Sequence, residues 1–155
     1  MGIWIRCDNS NIEFCSSYSY WSEIRMSIVQ SFISFLRDWI SNNSFDNCEG
    51  FEKYFYDMLK NLLEEFSLTN KSIGDYNIVF ENYVNALACF ELLGIYSLIN
   101  KQDCEAYYSC GNALDMYMLI NKIKNYINKE HKQSIMLFKK VLKYSIDHKQ
   151  PIIIS

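Results

Sequence analysis

The sequence predicts an α+β domain that is mostly α-helical, with about five helices packed against a small sheet. Apolar residues recur three and four positions apart between about residues 18 and 148, which is the spacing of amphipathic helices. The two ends differ, because Gly2–Cys7 and Ile152–Ile154 are short apolar runs of the kind that form strands. The chain has 155 residues, half of them hydrophobic, so we expect one core and a single domain over residues 1–155.

The sheet is expected to combine an N-terminal β-hairpin with a C-terminal strand. Gly2–Cys7 and Ile12–Cys15 flank Asp8–Asn11, whose Asp, Asn and Ser side chains favour a turn. Ile152–Ile154 follows Pro151 and is too apolar to remain a free tail, so it predicts an extra strand beside the hairpin.

The first two helices are predicted over residues 18–42 and 50–67. The first carries two adjoining apolar stripes, which indicates burial over a wide arc and a central position in the fold. The second has one apolar face and one charged face. Asp46, three residues before Glu49, predicts a capping box in front of it.

Three more helices are predicted over residues 76–93, 112–128 and 131–148. Gly94 is expected to end the first of them, since glycine commonly follows the last helical turn. Ile95–Ile99 fits either a strand or further helix, and helix is the preferred interpretation.

Composition argues against several classes of partner. The net charge is −3 and the isoelectric point is about 5.4, whereas nucleic-acid binding needs clustered Lys and Arg. A membrane span needs about 18 consecutive apolar residues, and no such stretch is present. The chain does not begin with a secretory signal pattern, so we expect a cytoplasmic protein with reduced cysteines.

The motifs of known chemistries are also missing from the sequence. Six cysteines include no C-x-x-C pair, and both histidines, His131 and His148, fall in the last predicted helix, so no metal site is expected. There is no nucleophile elbow and no glycine-rich phosphate loop. We therefore expect a protein that is not an enzyme and binds no cofactor.

The segment Lys101–Gly111 is the strongest candidate for a functional site. It brings together Asp103, Glu105, Tyr107 and Tyr108. Exposed tyrosine beside acids is typical of protein-binding hot spots, because tyrosine gives a large contact area and acids attract a basic partner. These four residues form the predicted partner-binding site. The alternative, in which both tyrosines pack onto the core and the acids only solvate a loop, stays open.

This segment also carries a resemblance. The runs Gly94–Asn100, Asp103–Glu105, Tyr107–Ser109 and Asn112–Asp115 resemble those of a group of small bacterial proteins of unassigned role. As a class, the chain resembles immunity proteins of bacterial contact-dependent and other polymorphic toxin systems. That resemblance implies a small cytoplasmic protein that binds one cognate toxin domain, most often a nuclease, and neutralises it by covering its active site.

Three hypotheses about function follow. An immunity protein is the leading one, supported by the absence of catalytic motifs, the acidic composition and the aromatic-acidic segment. The second is a helical adaptor or homodimer from a phage or mobile element, which an exposed apolar patch and a symmetric dimer would favour. The third is an enzyme, which would show a deep polar pocket with perturbed carboxylates or thiols.

Overall fold

A four-stranded antiparallel sheet joins the two ends of the chain, and seven α-helices pack on one side of it among the described residues. The structure is a computed structural model that describes residues 2–45, 47–66, 72–100 and 106–155, with only the backbone of Ala106. The predicted fold class, α+β and mostly α, is confirmed.

The strands are β1 (Gly2–Cys7), β2 (Glu13–Ser17), β3 (Ala106–Tyr108) and β4 (Ile152–Ile154), in the spatial order β2-β1-β4-β3. The predicted hairpin and C-terminal strand are therefore confirmed, with β4 directly beside β1. The third strand is an addition to the predicted elements, since the sequence pattern predicts no strand within Lys101–Gly111. It forms only by pairing with β4.

The helices begin and end as follows: α1 (Tyr18–Asn42), α2 (Phe51–Phe66), α3 (Ile73–Glu81), α4 (Val84–Cys89), α5 (Gly94–Ile99), α6 (Cys110–Ile123) and α7 (Lys129–His148). A 3-10 turn, Lys124–Tyr126, follows α6. The prediction of a single helix over residues 76–93 is wrong. The helix ends at Glu81, and a separate helix, α4, follows. The helical interpretation of Ile95–Ile99 is confirmed within α5.

Side chains before the helices set several of their starts. Ser72 and Asp75 form a capping box, and this places the first residue of α3 at Ile73. Ser109 and Asn112 form the equivalent box at α6, so that helix begins two residues earlier than predicted. The capping box predicted from Asp46 lies outside the described residues, because Asp46 is not among them.

Aromatic side chains fasten the sheet to the two longest helices. Phe14 on β2, Trp21 on α1 and Phe138 on α7 are buried, and their ring centroids lie 5.2–6.3 Å apart. Such separations are typical of favourable edge-to-face contacts. This cluster fixes the hairpin on the α1–α7 layer and leaves the opposite side of the sheet exposed.

A glycine fixes the contact between α5 and α6. The predicted role of Gly94 as the end of a helix is wrong, because Gly94 is the first residue of α5. A Cβ atom at this position would lie 2.3 Å from the carbonyl oxygen of Asp115 and 2.8 Å from the Cα of Met116. Only glycine lets these two backbones approach so closely.

Candidate functional site

The sheet has one buried face and one exposed face, because successive side chains along a strand point to opposite sides. Along β1, Ile3, Ile5 and Cys7 are buried, while Trp4 and Arg6 between them are exposed. We call the exposed side the outer sheet face. It carries Trp4, Arg6, Glu13, Cys15, Tyr107 and Ile153.

The strand register aligns four of these residues in one row. Tyr107 lies opposite Ile153, Ile153 opposite Arg6, and Arg6 opposite Glu13. Neighbouring strands lie about 4.8 Å apart, so adjacent side chains in the row are within contact distance. An ion pair of 3.9 Å between Arg6 and Glu13 closes the row at β2, and its exposure means that it adds little stability.

Trp4 extends this row into a broader surface. It is 42% exposed and sits two residues before Arg6 on the same face of β1. Its backbone also pairs with Ser155, through hydrogen bonds of 2.9 and 3.0 Å. The outer sheet face therefore presents an indole, a phenol and a half-buried isoleucine on a hydrogen-bonded backbone, which is a rigid base for a binding surface.

The two predicted tyrosines point in opposite directions. Tyr107 is 64% exposed on the outer sheet face, as a partner contact requires. Tyr108 is only 1% exposed, and its hydroxyl donates a hydrogen bond of 3.2 Å to the carbonyl oxygen of Leu98. The prediction of Tyr108 as an exposed contact is therefore wrong, because strand alternation turns it into the core. Asp103 and Glu105 lie outside the described residues.

Sequence reasoning missed Trp4 and Ile153 as members of this surface. The alternation of Ile3, Trp4 and Ile5 could have revealed Trp4, since the two isoleucines claim the buried side of the strand. Ile153 could not be assigned in the same way, because all three residues of β4 are isoleucine. Only the register with β1 shows which of them faces outward.

A second exposed apolar surface lies at the start of α2. Phe51 and Tyr54 are 80% and 60% exposed, and both rings contact Phe55, at centroid distances of 6.2 and 5.4 Å. We call Phe51, Tyr54 and Phe55 the helix patch. Its rings form an exposed apolar surface that a partner could cover.

A cluster of polar residues between α1 and α7 does not have the contacts of a catalytic triad. The Nε2 atom of His131 lies 4.0 Å from a carboxylate oxygen of Glu23. The hydroxyl groups of Tyr20 and Ser134 lie 2.8 Å apart, so Ser134 contacts Tyr20 in place of the histidine. Neither ring nitrogen of His131 has a hydrogen-bond partner among the described residues. A serine nucleophile would need a hydrogen bond to that ring.

Three groups with a raised pKa lie at contacts between elements of the fold. Burial raises the pKa of the Cys7 thiol on the inner side of the sheet. Burial, together with the hydrogen bond to Glu65, raises the pKa of Tyr83 to about 12. Burial also raises the pKa of Asp115, whose backbone contacts α5. Each of these groups joins two elements of the fold.

The described residues contain neither a metal cluster nor a membrane-spanning helix, and the chain has no match among known proteins. In the part of the chain that the structure describes, no three His, Cys, Asp or Glu side chains lie close enough together to hold a metal ion. None of the described helices has both the length and the apolar character needed to cross a bilayer. No protein-family model, curated protein or solved structure matches the chain.

Proposed function

We propose that this chain is an immunity protein, which binds a cognate bacterial toxin domain and neutralises it by covering its active site. The observation that carries the proposal is the outer sheet face, where Trp4, Ile153 and Tyr107 are presented on three adjacent strands. Tryptophan and tyrosine are the residues most enriched in protein-binding hot spots. A surface that ends in exposed aromatic side chains favours a protein partner over a small substrate.

The proposed contact set differs from the one that the sequence predicted. Tyr107 stays in it, Trp4 and Ile153 join it, and Tyr108 leaves it because its side chain is buried. Asp103 and Glu105 lie within three residues of β3 in the sequence, and they remain proposed acidic contacts. A specific complex of this kind buries about 1,200–2,000 Å² of surface in total.

The test is capture of the partner from cells that carry the native locus, followed by a growth assay. The bait is compared with a Trp4→Thr/Tyr107→Thr variant, in which threonine suits a strand but removes both aromatic rings. We expect one stoichiometric partner, encoded beside this gene and toxic when expressed alone. The wild-type chain should restore growth and the double variant should not.

One outcome would contradict the proposed function, and another would contradict only the proposed contact surface. If the wild-type chain captures no partner and the neighbouring gene is harmless, the immunity function is wrong. If the double variant folds and protects as well as the wild type, the function stands but the outer sheet face is not the contact surface. Circular dichroism of the variant separates lost binding from lost folding.

The helix patch favours a second function, that of an adaptor or homodimer. Phe51 and Tyr54 are the most exposed aromatic residues of α2, and a symmetric dimer could bury them. Light scattering after size-exclusion chromatography tests this function. A dimer that dissociates in a Phe51→Ser/Tyr54→Ser variant would support it, whereas a wild-type monomer at high concentration would exclude self-association.

A further inference from the structure

A pocket opens between α1, the end of α4 and α6, away from the sheet. Its volume is about 240 Å³. Half-buried aromatic rings form its walls, and a carboxylate and an ammonium group lie at its mouth. The lining residues are Phe35, Trp39, Cys89, Phe90, Glu91, Leu92 and Lys122. We call this the aromatic pocket.

The walls of the aromatic pocket are held in place by ring contacts. The centroids of Trp39 and Phe90 lie 5.0 Å apart at an interplanar angle of 62°. Phe35 makes an edge contact with Tyr126 at 6.0 Å. Rings fixed in this way give a preformed cavity, which lowers the entropic cost of binding.

The backbone at the mouth adopts an unusual conformation. Glu91 has a φ of 58°, in the left-handed region that residues other than glycine rarely adopt. The N–H of Glu91 donates to the carbonyl oxygen of Ala88, and the N–H of Leu92 donates to that of Leu87. This pattern is common where a helix ends, and glycine is the usual residue at the position of Glu91. This turn brings Glu91 into the lining of the pocket, beside Lys122.

The two charged groups at the mouth form a mixed polar pair. The Lys122 ammonium donates a hydrogen bond of 2.9 Å to the carbonyl oxygen of Phe90 and lies 3.5 Å from a carboxylate oxygen of Glu91. The two side chains are 34% and 61% exposed, so a ligand can reach both. An ammonium group has three N–H donors and a carboxylate has several acceptor sites. The pair can therefore offer one donor and one acceptor to the same ligand.

These features select the chemistry of a ligand. A cavity of about 150 Å³ is known to hold a benzene ring, so 240 Å³ admits one ring with a small substituent. The Lys122 ammonium and the Glu91 carboxylate compensate each other's charge, so the mouth favours neither a cationic nor an anionic substituent. A neutral hydroxyl suits the pair, because it can accept from the ammonium and donate to the carboxylate. We propose that the aromatic pocket binds a neutral monocyclic phenol.

A phenol could reach the aromatic pocket from two sources, a free small molecule or a tyrosine side chain of a polypeptide. The inference does not depend on the proposed immunity function, since the pocket and the outer sheet face share no residue. The probes are phenol, benzene and N-acetyltyrosinamide, which presents a tyrosine side chain between two amide groups. Each is titrated into the full ¹⁵N-labelled chain and followed by NMR.

Phenol should shift the amide signals of Glu91 and Lys122 and the indole signal of Trp39 along saturable curves. Benzene should bind at least about fivefold more weakly than phenol, because it has no hydroxyl group to contact the two charged groups. Binding of N-acetyltyrosinamide as tightly as phenol would assign the site to a tyrosine side chain. Its failure to bind, with phenol still bound, would assign it to a free phenol. No saturable shift with phenol, or equal affinity for benzene, would overturn the proposal.

Variants test whether the charged pair supplies the selectivity. Glu91→Gly removes the carboxylate and places glycine where the backbone favours it, so the variant is expected to fold. Its preference for phenol over benzene should fall to about twofold or less, as should that of Lys122→Met. Lys143→Met removes a lysine from an exposed ion pair elsewhere and should leave the preference unchanged. An undiminished preference in both mouth variants would contradict the proposed roles of Glu91 and Lys122.

Discussion

The close approach of α5 and α6 predicts that Gly94→Ala destabilises the protein. The added Cβ would lie 2.3 Å from the backbone oxygen of Asp115 and 2.7 Å from its carbonyl carbon. These are main-chain atoms and cannot rotate away, so the two helices must separate by about 1 Å. Overpacking costs about 1–3 kcal/mol, and the helical preference of alanine over glycine recovers about 0.5–1 kcal/mol. Because rigid backbone atoms make the clash, the cost should lie at the upper end of its range, about 3 kcal/mol, which leaves a net loss of about 2 kcal/mol.

Thermal unfolding measures this loss. For a domain of this size, 1 kcal/mol corresponds to about 2–4 °C, so Tm should fall by about 4–8 °C. Gly111→Ala is the matched control, because it lies in the first turn of α6 and its Cβ would meet only the hydroxyl oxygen of Ser109, at 3.6 Å. Its Tm should stay constant or rise by about 1–3 °C. If Gly94→Ala melts at or above the wild-type temperature, the reasoning from backbone contact is refuted.

Three further predictions concern titration, a hydrogen bond and a thiol. Burial and a carboxylate contact raise the pKa of Tyr83 to about 12, whereas an unfolded tyrosine ionises near pH 10. Up to about 2–3 kcal/mol of stability should therefore be lost as pH rises from about 10 to 12, and urea unfolding of Tyr83→Phe should lack this loss. Tyr108→Phe should cost about 1 kcal/mol and Tyr107→Phe less than about 0.5 kcal/mol in the same assay; equal costs would contradict the assigned faces. Burial raises the pKa of the Cys7 thiol, so a thiol reagent should modify exposed Cys15 before Cys7. Mass spectrometry of the native protein measures this order, and faster modification of Cys7 would contradict its placement in the core.

The long helices could be predicted because their patterns repeat over several turns. The bounds of α1 match its predicted range, and those of α2 and α7 differ from prediction by at most two residues. The break between α3 and α4 could not be predicted, since neither Asn82 nor Tyr83 is a strong helix breaker. Tertiary contacts decide it: Tyr83 is buried, and its hydroxyl donates a hydrogen bond of 2.7 Å to Glu65 on α2.

The candidate surface could be predicted only in part. Its residue types can be read from one short segment, whereas its geometry depends on strands that are far apart in the sequence. The segment that contains Tyr107 was identified from its residue types alone. Which of its two tyrosines faces solvent depends on the pairing of β3 with β4, whose residues are far away in the sequence. The same limit applies to Cys7 and Cys15, which flank one hairpin turn but whose relative placement depends on the strand register. The register places Cys15 opposite Trp4, on the other side of the sheet from Cys7.

Glu91 shows a different limit of sequence reasoning. Left-handed helix ends are usually recognised from glycine, and here the sequence gives no such signal. The aromatic pocket joins residues from three segments, and none of those segments contains a motif for binding. Its lining could be found only from the packed structure.

The pairing of Ile5 with Ile154 has a consequence for how the protein assembles. Contacts between such distant residues form slowly, because the entropy of closing the intervening chain is lost before the contact forms. We therefore expect β1 and β4 to pair late in folding, after the helices have brought them together. A partner that contacts both β1 and β4 would stabilise their pairing. At a hundredfold excess over its Kd it would add about 2.7 kcal/mol to the free energy of unfolding.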